Sequence, residues 1–303
     1  MEICFKCFSS IENKTAIHGL HEDCFRAWFN LSINDATEFQ DIILRLDQQD
    51  TVNPINSIHA SFFQGKFKKY SAALNNHPYI LKVQDKDYPE LPRVEYLSNQ
   101  IAQKLGIVVP KFYLICFLNE VDAFVVHNFM ENYQPGNLIH LYHFIKEDQS
   151  FSCRTIIQII EEKIGRINAV KQFVFLCLFD ALIGNHDRHG RNIAFIETTK
   201  GLELAPFYDN PSYIGIEDQS LLLAQHNPRG KIETSLVIDP TLKDYVHEFI
   251  QMGYQTWIQE FIKNVYKANV DELTKNSFLS EKRKEAFLNL VMKRIQEFDH
   301  VSL

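Results

Sequence analysis

Glycine is scarce, with 11 in 303 residues, and none of them falls in a G-x-G-x-x-G or a Walker G-x-x-x-x-G-K-[ST] arrangement. Two common ways of cradling nucleotide phosphates with bare backbone are therefore absent. No apolar window reaches bilayer-spanning length; the longest, around Phe173–Ile183, is interrupted by Asp180. The start, Met1-Glu-Ile-Cys-Phe-Lys-Cys7, lacks the basic segment and apolar stretch of a signal peptide. Positive charge is not in excess either: 31 Lys and Arg stand against 38 Asp and Glu, a net −7, which argues against a nucleic-acid binder driven by phosphate contacts. What is present is ordinary for a globular chain, 46% apolar and 23% charged residues. A cytoplasmic, non-membrane protein folding as one two-lobed unit or two domains is the expectation.

Six cysteines in a chain of this length with no secretory signal are expected to stay reduced. Cys116, Cys153 and Cys177 lie in apolar surroundings and read as small core residues. The others form a pattern: Cys4-Phe-Lys-Cys7, thirteen residues, then His21-Glu-Asp-Cys24. Two tight turns, each aiming two ligands at one ion, make the tetrahedron that structural zinc prefers. Unliganded thiols are the alternative, and His18 is a possible substitute for His21. A redox C-x-x-C would need a βαβ context that is missing.

Periodicity divides the chain near residue 130. The expected parts are a zinc knuckle over 1–30, a β-rich lobe over 31–131 and a helical lobe over 132–303. In the first half an amphipathic helix is expected near Asp35–Leu46. Ser61–Leu74 reads as strand, turn and strand around Gly65, and Tyr79–Val83 as a strand with Lys82 inside it. Val94–Leu105 has helical spacing and carries Glu95, and two further strands cover Val108–Phe117 and Ala123–Phe129. In the second half, Ile156, Ile157, Ile160 and Ile164 share a helix face and Val170–Ile183 is a buried helix. Residues 193–208 form a hairpin, and Lys243–Phe298 give two or three amphipathic helices. The fold class is α+β, bilobal and protein-kinase-like.

The densest chemistry is Gly184-Asn-His-Asp187-Arg-His-Gly-Arg-Asn192, expected as an exposed turn between a buried helix and a buried strand. An Asp followed five positions later by an Asn is the spacing of a catalytic base and a magnesium ligand in phosphoryl transfer. Seventeen positions further on, Asp209 in Tyr208-Asp209-Asn210 offers a second metal carboxylate. ATP phosphates need a held cation. Lys82 supplies one, and Glu95 on the next helix is its natural partner; alone, Lys82 could equally lie on an exposed strand face. The phosphate-covering loop would be Ser61–Lys69 around Gly65, with Lys66, Lys68 and Lys69 as cationic cover. Arg188 or His189 would stabilise the loop or the transferred phosphoryl group. Two His beside an Asp also suggest a hydrolytic metal site, but no H-x-x-x-H helical pair accompanies them.

These motifs, Phe63-Gln-Gly65 through Lys69, Lys82, Glu95, Ile183-Gly-Asn-His-Asp187-Arg-His-Gly-Arg-Asn192 and Leu204-Ala-Pro-Phe-Tyr208-Asp209, resemble the HipA family of serine/threonine kinase toxins. They span roughly 57–212, in the family's order. The chain resembles the compact HipT-type members, whose N-terminal subdomain is a separate small antitoxin protein. The resemblance implies Asp187 as base, Asn192 and Asp209 as Mg²⁺ ligands, and Lys82, with Glu95, Gly65 and Lys69, at ATP. It implies an aminoacyl-tRNA synthetase as the substrate, phosphorylated on serine to stop translation, and DNA contact only through an antitoxin. It also implies autophosphorylation near the Gly65 loop, with Ser57 and Ser61 the candidates ahead of Ser71. Phe67-Lys68 stands where the family has Gln-Pro.

Two other readings compete. A phosphoinositide or small-molecule kinase is one, since Asp187-Arg-His-x-x-Asn192 is also a phosphoinositide-kinase signature, although the acidic balance offers no interfacial basic patch. A catalytically silent interaction module would keep the fold without the chemistry, but Lys82, Asp187, Asn192 and Asp209 are all retained.

Overall fold

The computed structural model describes residues 2–11, 16–45, 68–118, 121–216 and 230–299. Two small hairpins open the chain: β1 (Glu2–Ile3) with β2 (Ser10–Ile11), and β3 (Ala16–Ile17) with β4 (Leu20–His21). Helix α1 (Glu22–Phe29) follows and buries Phe25 and Phe29. Next come β5 (Gln40–Arg45), β6 (Lys68–Leu74) and β7 (His77–Val83), helix α2 (Leu91–Lys104), then β8 (Phe112–Phe117) and β9 (Val121–His127). The five strands form one antiparallel sheet in the order β5-β6-β7-β9-β8.

Alternation along the strands gives this sheet two apolar faces. On one, Tyr79, Leu81, Val83, Tyr113, Ile115 and Val125 pack against Cys4, Leu20, Phe25 and Phe29 of the N-terminal segment. On the other, Leu114 and Phe124 meet Tyr96 of α2. Lys82 points to the α2 side, paired across strands with Lys69 and Phe124.

The helix expected near Asp35–Leu46 is instead the edge strand β5. Its Ile43, Leu44 and Arg45 pair with Ser71, Tyr70 and Lys69, after a bulge that follows Gln40. The free edge of β6 offers unpaired backbone groups, and β-branched Ile42-Ile43 suits pairing there better than a helix turn.

The second half is helical. A 3₁₀ turn (Phe129–Tyr133) leads to β10 (Asn137–His140), then α3 (Cys153–Lys163) and α4 (Ile167–Ile183). From Phe173 to Ile183 helix α4 is buried on every side and forms the centre of the core, as a helix segment without a polar face must. It ends at Gly184 in a left-handed C-cap (φ 72°), where an added Cβ would meet the Tyr213 ring at 2.7 Å. Strands β11 (Ala194–Thr198) and β12 (Gly201–Leu204) form the expected hairpin, extended by β10.

The C-terminal part holds four helices rather than two or three: α5 (Leu242–Gln251), α6 (Gln255–Ala268), α7 (Val270–Lys275) and α8 (Glu281–Asp299). Left-handed Gly253 and Asn269 supply the extra breaks. Cys153 and Cys177 are core residues as expected, whereas Cys116 on β8 is only half-buried. Glu90 joins α2 to this part by accepting from Ser280 (2.7 and 2.8 Å) and Arg283 (2.9 Å). Among the described residues, no helix is long and apolar enough to cross a membrane.

Candidate active site

Lys82 is 4% exposed, so the exposed-strand alternative is overturned. Its ammonium bonds the Glu95 carboxylate on α2 and lies 2.5 Å from Asp209 Oδ1. A buried cation demands such pairing. Burial favours the neutral amine, but Asp209 and Glu95 outweigh it and hold the Lys82 ammonium above its ordinary range. Burial likewise works to raise the Asp209 carboxyl; Lys82 and then Lys69 prevail and hold it well below the carboxylate range. Glu95, wholly buried, is pushed up. Asp209 is thus the carboxylate kept ionised most firmly, and at 27% exposure it remains reachable by a cation. Its backbone is left-handed (φ 53°), a conformation unusual outside glycine and concentrated at functional sites.

The segment after α4 is not the exposed turn expected. Asn185, Asp187, Arg188, His189 and Asn192 are all nearly inaccessible. The reason is Arg188, 1% exposed, which uses its whole guanidinium inside the protein. Its Nε and Nη2 donate to Asp180 (2.8 and 2.9 Å), Nη2 to Asn210 Oδ1 (2.6 Å), and Nη1 to the carbonyls of Tyr208 (2.8 Å) and Asn192 (3.3 Å). This one side chain ties the end of α4, the Asp187 loop and the Asp209 loop together. It stabilises the loops, so the alternative role at the transferred phosphoryl group falls away.

Smaller bonds set the rest. Asp187 N–H donates to Asn185 Oδ1 (3.1 Å), and Asn185 Nδ2 donates to Asp180 (2.9 Å). Asn192 Nδ2 donates to the Asp187 carbonyl (3.2 Å), which leaves the amide oxygen as the atom suited to a cation. Asn210 Nδ2 donates to Asn99 Oδ1 on α2 (2.9 Å), while Asn99 donates to the Glu95 carbonyl (2.8 Å). The helix carrying Glu95 and the loop carrying Asp209 are therefore fastened directly.

Asp180, Asn99, Asn185 and Asn210 were not singled out from sequence. Asp180 carried a signal, being the lone carboxylate of α4, set in the apolar run Phe173–Ile183, where a buried charge requires a partner. Lys69 is on β6 beside Lys82 and acts electrostatically on Asp209 and Glu95. Gly65, Ser57 and Ser61 lie outside the described residues; Ser71 is half-buried on β6. Among the described residues, His186, Asp187 and His189 belong to neither of the two groups of clustered metal-ligating side chains.

At the N-terminus, the ligand atoms of Cys4, Cys7, His21 and Cys24 all lie within 4.8 Å of one another. His21 Nε2 is 3.1 Å from the Ser10 carbonyl, so Nδ1 faces the sulfurs, 3.4 Å from Cys7 and 3.9 Å from Cys24. That second bond orients the ring as zinc-binding histidines require. His18 is elsewhere, buried and bonded to the Thr37 carbonyl (3.1 Å), so it does not substitute for His21.

A five-stranded β lobe, a strand lysine paired to a helix glutamate and a helical lobe bearing two polar loops define the bilobal protein-kinase fold. The chain belongs to the HipA-like C-terminal domain family, whose profile matches residues 59–275. A Haemophilus influenzae protein named "Putative kinase" is 31% identical over 150 residues, 43% of this chain and 44% of that protein, so less than half of that relative's length is represented. Two solved structures share the fold, each with a TM-score of 0.58. One is the Helicobacter pylori proinflammatory kinase CtkA, at 18% identity, covering 76% of this chain and 90% of that one. The other is Shewanella oneidensis HipA, solved in a toxin–antitoxin complex with HipB and operator DNA, at 15% identity, covering 88% and 73%.

Proposed function

We propose that this chain is an ATP-dependent serine/threonine protein kinase of the toxin type, built as a knuckle over 1–30, a β-rich lobe over 31–131 and a helical lobe over 132–303. The observation that carries the reading is Lys82, buried between Glu95 and Asp209 on the same side of the sheet that α2 covers. Asp187 accepts the proton of the acceptor hydroxyl. Lys82 holds the ATP phosphates, with Lys69 and Gly65 in the covering segment. The Asn192 amide oxygen and the Asp209 carboxylate suit a hard cation such as Mg²⁺. Magnesium, when bound, neutralises charge on the phosphates. Arg188, bonded to the carbonyls of Asn192 and Tyr208, keeps the loops that carry Asn192 and Asp209 in mutual register.

The HipA resemblance supports an aminoacyl-tRNA synthetase as the acceptor and regulatory autophosphorylation at Ser57 or Ser61. Shewanella HipA's complex supports a small antitoxin as partner, with DNA reached through it. The test is label transfer from ATP to a panel of synthetases and, separately, to phosphoinositide vesicles. Serine label on one synthetase is expected; label confined to lipid would overturn the protein-kinase reading in favour of a lipid kinase.

Cys4, Cys7, His21 and Cys24 are proposed to hold a structural zinc under the sheet. Replacing Cys7 by Ser is expected to release one zinc equivalent, read by metal analysis. It should also lower the melting temperature by at least about 2–4 °C, the shift for about 1 kcal/mol in a protein of roughly this size. Unchanged zinc content and melting would contradict it.

A further inference from the structure

The far end of the sheet carries a second group of metal-ligating side chains that the phosphoryl-transfer reading does not use. His77 starts β7, His127 ends β9, and Glu131 lies in the 3₁₀ turn that follows. Tyr79 pairs with His127, which places His77 diagonally beside His127 on one face, with ring centroids 6.3 Å apart. His77 Nδ1 lies 2.8 Å from Glu131 Oε1, and His127 Nε2 lies 2.8 Å from Oε2. All three ligand atoms fall within 4.8 Å of one another.

The supports are rigid. Asn128 N–H donates to the Pro78 carbonyl (2.9 Å), the Asn128 side chain accepts from Met130 N–H (3.2 Å), and Glu131 N–H donates to the Asn128 carbonyl (3.1 Å). Three ligands from two neighbouring strands and a capped turn are thus held together, with the Glu131 carboxylate hydrogen-bonded to both imidazoles, in contacts that a bound ion would replace. Both imidazoles also line a cleft of about 440 Å³, with Trp28, Gln103, Lys111 and Tyr113 among its walls. Glu131 is not among those walls, so of the three ligands the cleft borders the two imidazoles alone.

Two imidazoles and one carboxylate are a donor set for zinc or another divalent transition ion and a poor one for Mg²⁺ or Ca²⁺. We propose that His77, His127 and Glu131 form a second metal site, taking a divalent transition ion of the zinc class. Such an ion ties β7, five residues before Lys82, to β9 and to the turn entering the helical lobe. The site is independent of the cysteine cluster and of the phosphoryl-transfer assignment.

The test uses the purified full chain, with Co²⁺ as the probe, followed by calorimetry and absorption. Cobalt on nitrogen and oxygen gives visible bands without the near-ultraviolet thiolate charge transfer that cysteine ligands produce. The expected result is one equivalent taken up without that charge transfer. His77→Ala and Glu131→Gln should each weaken this uptake at least tenfold, since losing even an outer-sphere partner costs about 10–100-fold. The His77 side chain is 55% exposed, so its removal leaves the fold intact. Absence of such uptake, uptake with thiolate charge transfer alone, or uptake unaffected by both substitutions would overturn the proposal.

Discussion

Asp187→Ala is expected to lower phosphoryl transfer by about 10²–10⁴-fold, the range for losing a positioned general base. ATP affinity should stay within a few-fold of the parent, because Lys82, Glu95 and Asp209 keep their mutual contacts. The loop should keep its shape as well. Asp187 is fastened through its backbone, with its N–H on Asn185 and its carbonyl receiving Asn192, and neither bond needs the Asp187 carboxylate. Steady-state kinetics with nucleotide binding measured in parallel separates the outcomes. Retention of more than a tenth of the parent rate would remove Asp187 from the role of base. Loss of ATP binding together with the rate would move it to the nucleotide.

Arg188→Met should give the largest stability loss of any single change near the site, about 3–5 kcal/mol, because it leaves Asp180 charged and buried without its partner. The melting temperature falls by on the order of 10 °C. Lysine does not rescue it, since a point charge cannot span Asp180, Asn210 and two carbonyls as the planar fork does. The double change Asp180→Asn with Arg188→Met should be less destabilised than Arg188→Met alone, because no unpaired charge then remains. Thermal or urea unfolding of the three variants checks this. A double variant worse than Arg188→Met would mean that the pair is not the main term.

The site was legible wherever the chemistry sat in single residues with a fixed order. Lys82 inside a strand, Glu95 on the following helix, and then Asp187, Asn192 and Asp209 could be read without coordinates, and Lys82, Glu95 and Asp209 do meet. What escaped depends on distant partners. The Asp187 loop looked exposed because it is dense in polar residues, yet Arg188, Asp180, Asn185 and Asn210 satisfy one another and allow it to be buried.

Helical spacing misled in a similar way around Ile42-Ile43, where an unpaired edge of β6, invisible in the sequence, draws the segment into the sheet. The break between α6 and α7 rests on one left-handed Asn269, a weaker punctuation than glycine or proline. The lobes, by contrast, follow from periodicity, since strand alternation and helical spacing are properties of the chain itself.

The most direct measurement is phosphoproteomics after brief induction, comparing the parent chain with Asp187→Ala. New phosphoserine on a component of the translation machinery is expected with the parent chain only, accompanied by growth arrest that the variant abolishes. Growth arrest by both proteins with identical phosphoproteomes would contradict it, and would mean that the kinase fold acts here by binding rather than by phosphoryl transfer.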